Sequence, residues 1–236
     1  MRLRTLSVLA MAGALMAGDR DAAIAAKMRE MIASNEIPGA VTVVADRDGV
    51  RHLGVTGHAN AGKTRKLRKD SIFWIASMTK PVTAVAVLML QDEGKLSIDD
   101  PLAKYIPEFA GNGVTLRHML THTSGMGEAT PGELAAARTL ADLVPVYAKK
   151  PVGFAPGSQW KYCQSGINML GRVVEVISGQ DLETFFQQRI FRPLGMKDTT
   201  FYPDQKQAAR LVTPAVLEGG KLVDGEIRLL AGKPAT

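Results

Sequence analysis

Ser77-Met78-Thr79-Lys80 places a hydroxyl three residues before an amine, just ahead of an apolar run. An α-helix turns once every 3.6 residues, so side chains three apart share a face and can meet. A serine hydroxyl is a weak nucleophile alone, but an adjacent lysine can take its proton where the surroundings favour the neutral amine. The chemistry on offer is acyl transfer through a serine.

The pattern is short, and about 0.5 such matches are expected by chance in a chain of this composition. Ser158-Gln159-Trp160-Lys161 is a second match, but it follows Pro156-Gly157, a turn signal. The first match is followed by Pro81 and then by Val82, Ala84, Val85, Val87, Leu88, Met89 and Leu90, with Gly94 as a stop. This spacing predicts a helix whose first turn holds Ser77, and proline is tolerated in a first turn because those N–H groups lack intrahelical partners. The positive end of such a helix would favour an alkoxide or oxyanion near Ser77. The competing reading is an ordinary N-cap serine beside a solvated lysine.

A second constellation lies in Lys161-Tyr162-Cys163-Gln164-Ser165-Gly166, between Pro156-Gly157 and a helix expected over 167–178. A tyrosine beside a lysine ammonium can shuttle protons, because nearby positive charge favours the phenolate. The amide of Gln164 can donate to a substrate carbonyl. Against this, a tyrosine in a loop flanked by glycine and proline is often structural.

Several elements must position these groups. Ile24, Met28, Met31 and Ile32 predict an amphipathic helix over 21–35, followed by a hairpin of 40–45 and 50–57 around Asp46-Arg47-Asp48-Gly49. Helices are expected over 116–120, 139–149, 167–178 and 182–190. A lone hairpin is marginal in water and calls for more strands. A short late hairpin is expected from 221–223 and 226–229 around Asp224-Gly225.

With 236 residues, 46% hydrophobic and 22% charged, the chain has the composition of a soluble globular domain. The net charge of +6 partly reflects Lys63, Arg65, Lys66, Arg68 and Lys69, which have no interleaved aromatic residues. They read as a solvated connection and not as a nucleic-acid surface. No phosphate-binding glycine loop and no G-x-S-x-G elbow is present. Cys163, the sole cysteine, cannot form an intrachain disulfide and reads as a small packed thiol. His118 and His122, four apart, would share a helix face, but no third ligand follows, so no metal is expected and no motif calls for a cofactor.

Arg2 and Arg4 ahead of the apolar stretch 6–16 resemble a secretory signal peptide over 1–17, leaving a domain over 18–236. The stretch is too short to span a bilayer. The expectation is a periplasmic or secreted protein without a stable membrane anchor after processing.

Taken together, the motifs resemble the serine β-lactamase-related hydrolases, the group of class C β-lactamases, family VIII esterases and D-Ala-D-Ala carboxypeptidases. Ser77-x-x-Lys80 is similar to the group's nucleophile motif and Tyr162-x-Gln164 to its tyrosine-x-asparagine motif. Ile37-Pro38-Gly39-Ala40, Asp99-Asp100-Pro101-Leu102, the segment from Leu120 to Met126 and the segment from Pro193 to Thr199 agree.

The resemblance implies an α+β, β-lactamase/transpeptidase-like fold, with an antiparallel sheet flanked by helices and a mainly helical region. It implies Ser77 as nucleophile, Lys80 as general base, Tyr162 as proton shuttle and Gln164 in substrate binding, acting on an ester, β-lactam or peptidoglycan-like peptide. There are two departures. Gln164 replaces the usual asparagine, and no Lys/His-Thr/Ser-Gly motif follows Phe201. The expectation is therefore a C-terminally truncated serine hydrolase whose late sheet strands are missing; the alternative is a weakly active or inactive penicillin-binding-like fragment or binding module of the same fold. Export predicts a mature N terminus near residue 18, which N-terminal sequencing of protein from the native host will check; unprocessed cytoplasmic protein would refute it.

Overall fold

The computed structural model describes residues 20–226, so the expected signal peptide and the stretch 227–229 lie outside the described residues. The chain divides into two compact units. Among the described residues, one comprises 20–74 and 203–226, and the other 75–202.

The first unit opens with helix α1 over 20–33, where the periodic apolar residues predict it. Strands β1 (Gly39–Asp46) and β2 (Gly49–Gly57) then pair antiparallel, with Val41 opposite Val55 and Val43 opposite Leu53. Arg47 and Asp48 make the turn, and the Asp46 carboxylate accepts from the Asp48 N–H at 2.9 Å. On the other face of the hairpin, the His52 ring bridges the Thr42 hydroxyl at 2.8 Å and the Asp21 carboxylate at 2.7 Å, tying β1 and β2 to α1. Gly54 makes room for that bridge, since a Cβ there would lie 2.7 Å from Thr42 Oγ1.

Strands β3 (Ala215–Glu218) and β4 (Lys221–Asp224) form a separate two-stranded sheet. Among the described residues the strands thus make two small antiparallel sheets and not one larger sheet. The late hairpin also differs from expectation. It turns at Gly219-Gly220, both with positive φ (55° and 79°), the requirement of a tight two-residue hairpin turn. Asp224 is the last residue of β4, and its carboxylate accepts from the side chain of Asn60 at 3.1 Å and from the Ala61 N–H at 2.5 Å.

The second unit is helical. A 3₁₀ turn (Ala76–Met78) leads into α2 (Thr79–Asp92), followed by α3 (Leu116–Leu120), α4 (Pro131–Ala136), α5 (Leu140–Ala148), α6 (Ser165–Ser178) and α7 (Leu182–Phe186), which continues as a π turn over Gln187–Phe191. Helix α6 is the centre, packed by α2, α3, α5 and α7. Its Met169, Leu170, Val173 and Val174 are fully buried in a core shared with Val87, Leu90, Met119 and Phe186. Gly171 lets α5 approach, because a Cβ would sit 2.9 Å from Leu140. Among the described residues no helix is long and apolar enough to cross a membrane.

Leu90 lies in this core at 0% exposure. Leu90→Ala should leave a cavity and lower stability by about 2–5 kcal/mol, read from the urea midpoint at unchanged m-value.

Candidate active site

The Ser77-x-x-Lys80 motif straddles a helix start, but Ser77 lies in the 3₁₀ turn ahead of α2 and not in the helix's first turn, where the spacing predicts it. Ala76 has φ +44°, a left-handed conformation that costs a non-glycine residue energy. It opens the 3₁₀ turn that carries Ser77 to the surface, one residue before Met78, the N-cap of α2. Pro81 is the third residue of α2, inside the first turn. Lys80 is 8% exposed, so its ammonium needs acceptors. It donates to Ser77 Oγ at 3.1 Å and to Gln164 Oε1 at 2.6 Å, and lies 4.9 Å from the centre of the Tyr162 ring. All four residues singled out in the sequence therefore meet around one cation. Hydrogen bonding to Lys80, and secondarily to Ser77, holds the Tyr162 phenol below its ordinary value.

Gln164 stands at the N-cap of α6, which begins two residues earlier than the sequence suggests. The cause is Glu128. Its carboxylate accepts from the Gln164 N–H at 2.6 Å and the Ser165 N–H at 3.2 Å, filling donor positions that a helix start leaves open. Sequence reasoning missed Glu128, since nothing local marks a carboxylate that caps a helix far along the chain. The Gln164 side chain is held as well: its Nε2 donates to Asn168 Oδ1 at 3.2 Å, and Asn168 Nδ2 donates to the Tyr147 hydroxyl at 2.8 Å.

The Tyr162 loop is seated on the segment that follows α3. His122 has φ +58°; its carbonyl accepts from the Lys161 N–H at 2.9 Å and its Nδ1 from the Cys163 N–H at 3.4 Å. Its ring lies 4.6 Å from that of Tyr162. Gly125 permits the close approach, as a Cβ there would be 2.6 Å from the Phe154 carbonyl. Cys163 is buried with its thiol 3.7 Å from the Ser124 hydroxyl.

One expectation is corrected here. His118 and His122 do not share a helix face, because α3 ends at Leu120 and His118 closes a capping box with Thr115. Among the described residues no group of three His, Cys, Asp or Glu side chains could hold a metal. The second Ser-x-x-Lys match is a loop turn in which Ser158 donates to the Ala155 carbonyl at 2.6 Å.

Burial, and then the charge of Lys80, push the His122 imidazole below its ordinary value of 6.5. The unfolded chain takes up this proton near pH 6.5 and the folded chain only at lower pH, so the unfolded state binds more protons between the two values. Stability should fall as pH drops below about 6.5 and level off only below the folded value. His122→Gln should flatten that dependence in urea melts taken at a series of pH values.

Known proteins share this arrangement of elements. Esterase EstB of Burkholderia gladioli is 34% identical over 209 residues, covering 80% of this chain and 52% of EstB. The D-alanyl-D-alanine-carboxypeptidase/endopeptidase AmpH of Escherichia coli (strain K12) is 32% identical over 169 residues, covering 66% of this chain and 43% of AmpH. The chain thus spans about half the length of the curated relatives it matches. EstCE1, described as a hydrolase with promiscuous acyltransferase activity, superposes with a TM-score of 0.77 at 22% identity, over 89% of this chain and 59% of its own, a likeness of fold. The fold is the β-lactamase/transpeptidase-like one that the motifs lead one to expect. A family model described as Beta-lactamase matches residues 24–229, most of the length, and the chain belongs to the β-lactamase family.

Proposed function

We propose that the chain is a serine acyl hydrolase, with 18–236 as its catalytic region, acting on ester or amide carbonyls through an acyl-enzyme. The observation that carries this reading is the 3.1 Å contact of Lys80 Nζ with Ser77 Oγ, within hydrogen-bond reach for proton transfer. In its amine form Lys80 takes the Ser77 proton as Oγ attacks the carbonyl carbon. The Tyr162 hydroxyl, close to the same cation, passes a proton to the departing oxygen or nitrogen as its bond to the acyl carbon breaks. Water then attacks the acyl carbon, gives its proton to the same pair of groups, and releases the acid with Ser77 restored. Gln164 positions the reacting groups.

The likenesses support two substrate classes, esters for the likeness to esterase EstB and D-alanyl-D-alanine peptides for the likeness to the carboxypeptidase/endopeptidase AmpH. The 34% identity to an esterase inclines the reading to esters.

A fluorescent fluorophosphonate should label wild-type protein at Ser77, and Ser77→Ala should abolish both labelling and hydrolysis of p-nitrophenyl butyrate. Tyr162→Phe should keep the label while lowering turnover about 10²- to 10⁴-fold. Wild-type protein that takes no label would support a non-catalytic binding module of the same fold.

A further inference from the structure

We infer that Asn168 is a positioning residue for the proton-transfer pair, acting through Gln164, by a directed chain of hydrogen bonds that begins at Tyr147 in the core and ends at Lys80. The inference rests on the serine hydrolase reading for its catalytic consequence, though the hold on Gln164 is measurable without it.

Each link of the chain has one direction. A lysine ammonium only donates, so the Gln164 amide must present its oxygen to Lys80, which it does at 2.6 Å. A primary amide presents oxygen at one end and NH₂ at the other, so this turns Nε2 away from Lys80. Nε2 donates to Asn168 Oδ1 at 3.2 Å. Asn168, its oxygen taken by Gln164, turns its NH₂ to the Tyr147 hydroxyl at 2.8 Å, a contact that holds its place. Tyr147 sits on α5 at 2% exposure, in the core of the helical unit, and cannot readily move. Asn168 lies four residues after Gln164 on α6, the separation at which helical side chains meet.

The chain solves a problem of orientation. Gln164 is exposed at the end of a long side chain, and its amide could rotate and offer NH₂ to Lys80. Two donors would then face each other, and the ammonium that Lys80 becomes on taking the Ser77 proton would lose an acceptor. Asn168 disfavours that rotamer. It touches neither the nucleophile nor the base and works only by keeping the oxygen of Gln164 pointed inward.

The test compares wild type with Asn168→Leu and Asn168→Asp. The aspartate keeps an acceptor for Gln164 Nε2 and can accept from the Tyr147 hydroxyl; the leucine keeps neither. Hydrogen exchange of the Gln164 side-chain amide, followed by NMR, should be slowed in wild type and Asn168→Asp and fast in Asn168→Leu. With p-nitrophenyl butyrate, Asn168→Leu should lower kcat about tenfold with KM little moved, and Asn168→Asp should restore most of the loss. Fast exchange in wild type overturns the proposal, as does a kcat unchanged in folded Asn168→Leu or a loss in Asn168→Asp equal to that in the leucine variant. Should Asn168→Leu not fold, wild-type exchange and the kcat of Asn168→Asp decide alone, near-wild-type turnover supporting the proposal and a tenfold loss overturning it. Slowed exchange in a wild type with no turnover and no Ser77 label would uphold the hold on Gln164 while rejecting the hydrolase reading.

Discussion

A nearly buried ammonium is the constraint on which the helical unit turns. Removing a charged amine from water is costly unless acceptors replace the lost solvent, and charge-assisted contacts are the strong ones. Lys80 finds its acceptors at two helix starts, the Ser77 hydroxyl ahead of α2 and the Gln164 carbonyl oxygen ahead of α6. Those starts must therefore sit a few ångströms apart, which the apolar core beneath them secures. Leu90 of α2 and Val173 and Val174 of α6 are all fully buried in one cluster. The polar cluster at the surface and the dry packing below are two ends of the same requirement.

The loops complete what the helices begin. Glu128 fills the donors at the start of α6, and the segment from His122 to Gly125 carries the strand of loop that bears Tyr162. Neither contributes an atom to the Ser77–Lys80 contact. Both decide whether a tyrosine and a glutamine reach it, so the site is built from long-range backbone contacts as much as from helix geometry.

This division explains what could be read from the residues alone. Ser77 and Lys80 were legible because their meeting depends on local helical spacing, and Pro81 and Gly94 mark the ends of the helix. Tyr162 and Gln164 could be joined to them only through family resemblance, since no periodicity links residues so far apart. The His118–His122 pair was misread because a spacing of four was read as helical, whereas α3 ends at Leu120 and His122 adopts a positive φ. The late hairpin was expected around Asp224-Gly225 but turns at Gly219-Gly220, and Asp224 instead ends β4 with its carboxylate engaged by Asn60 and Ala61. Several family-like flanks turn out to be packing requirements: a Cβ on Gly39 would lie 2.5 Å from the His58 carbonyl. Asp100 is held to about 2 by the Tyr105 hydroxyl and then by Lys104, anchoring the turn before the Pro101 segment.

Ala76 adopts a backbone conformation that glycine would adopt freely. A chain selected for folding alone would shed that strain by a single substitution. Glycine would also return freedom to the turn, widening the range of directions the Ser77 hydroxyl explores. An alanine at this position keeps the turn stiff at an energetic cost, so the residue marks a place where thermostability and aim pull in opposite directions. Efforts to stabilise this protein would meet that conflict one residue before Ser77.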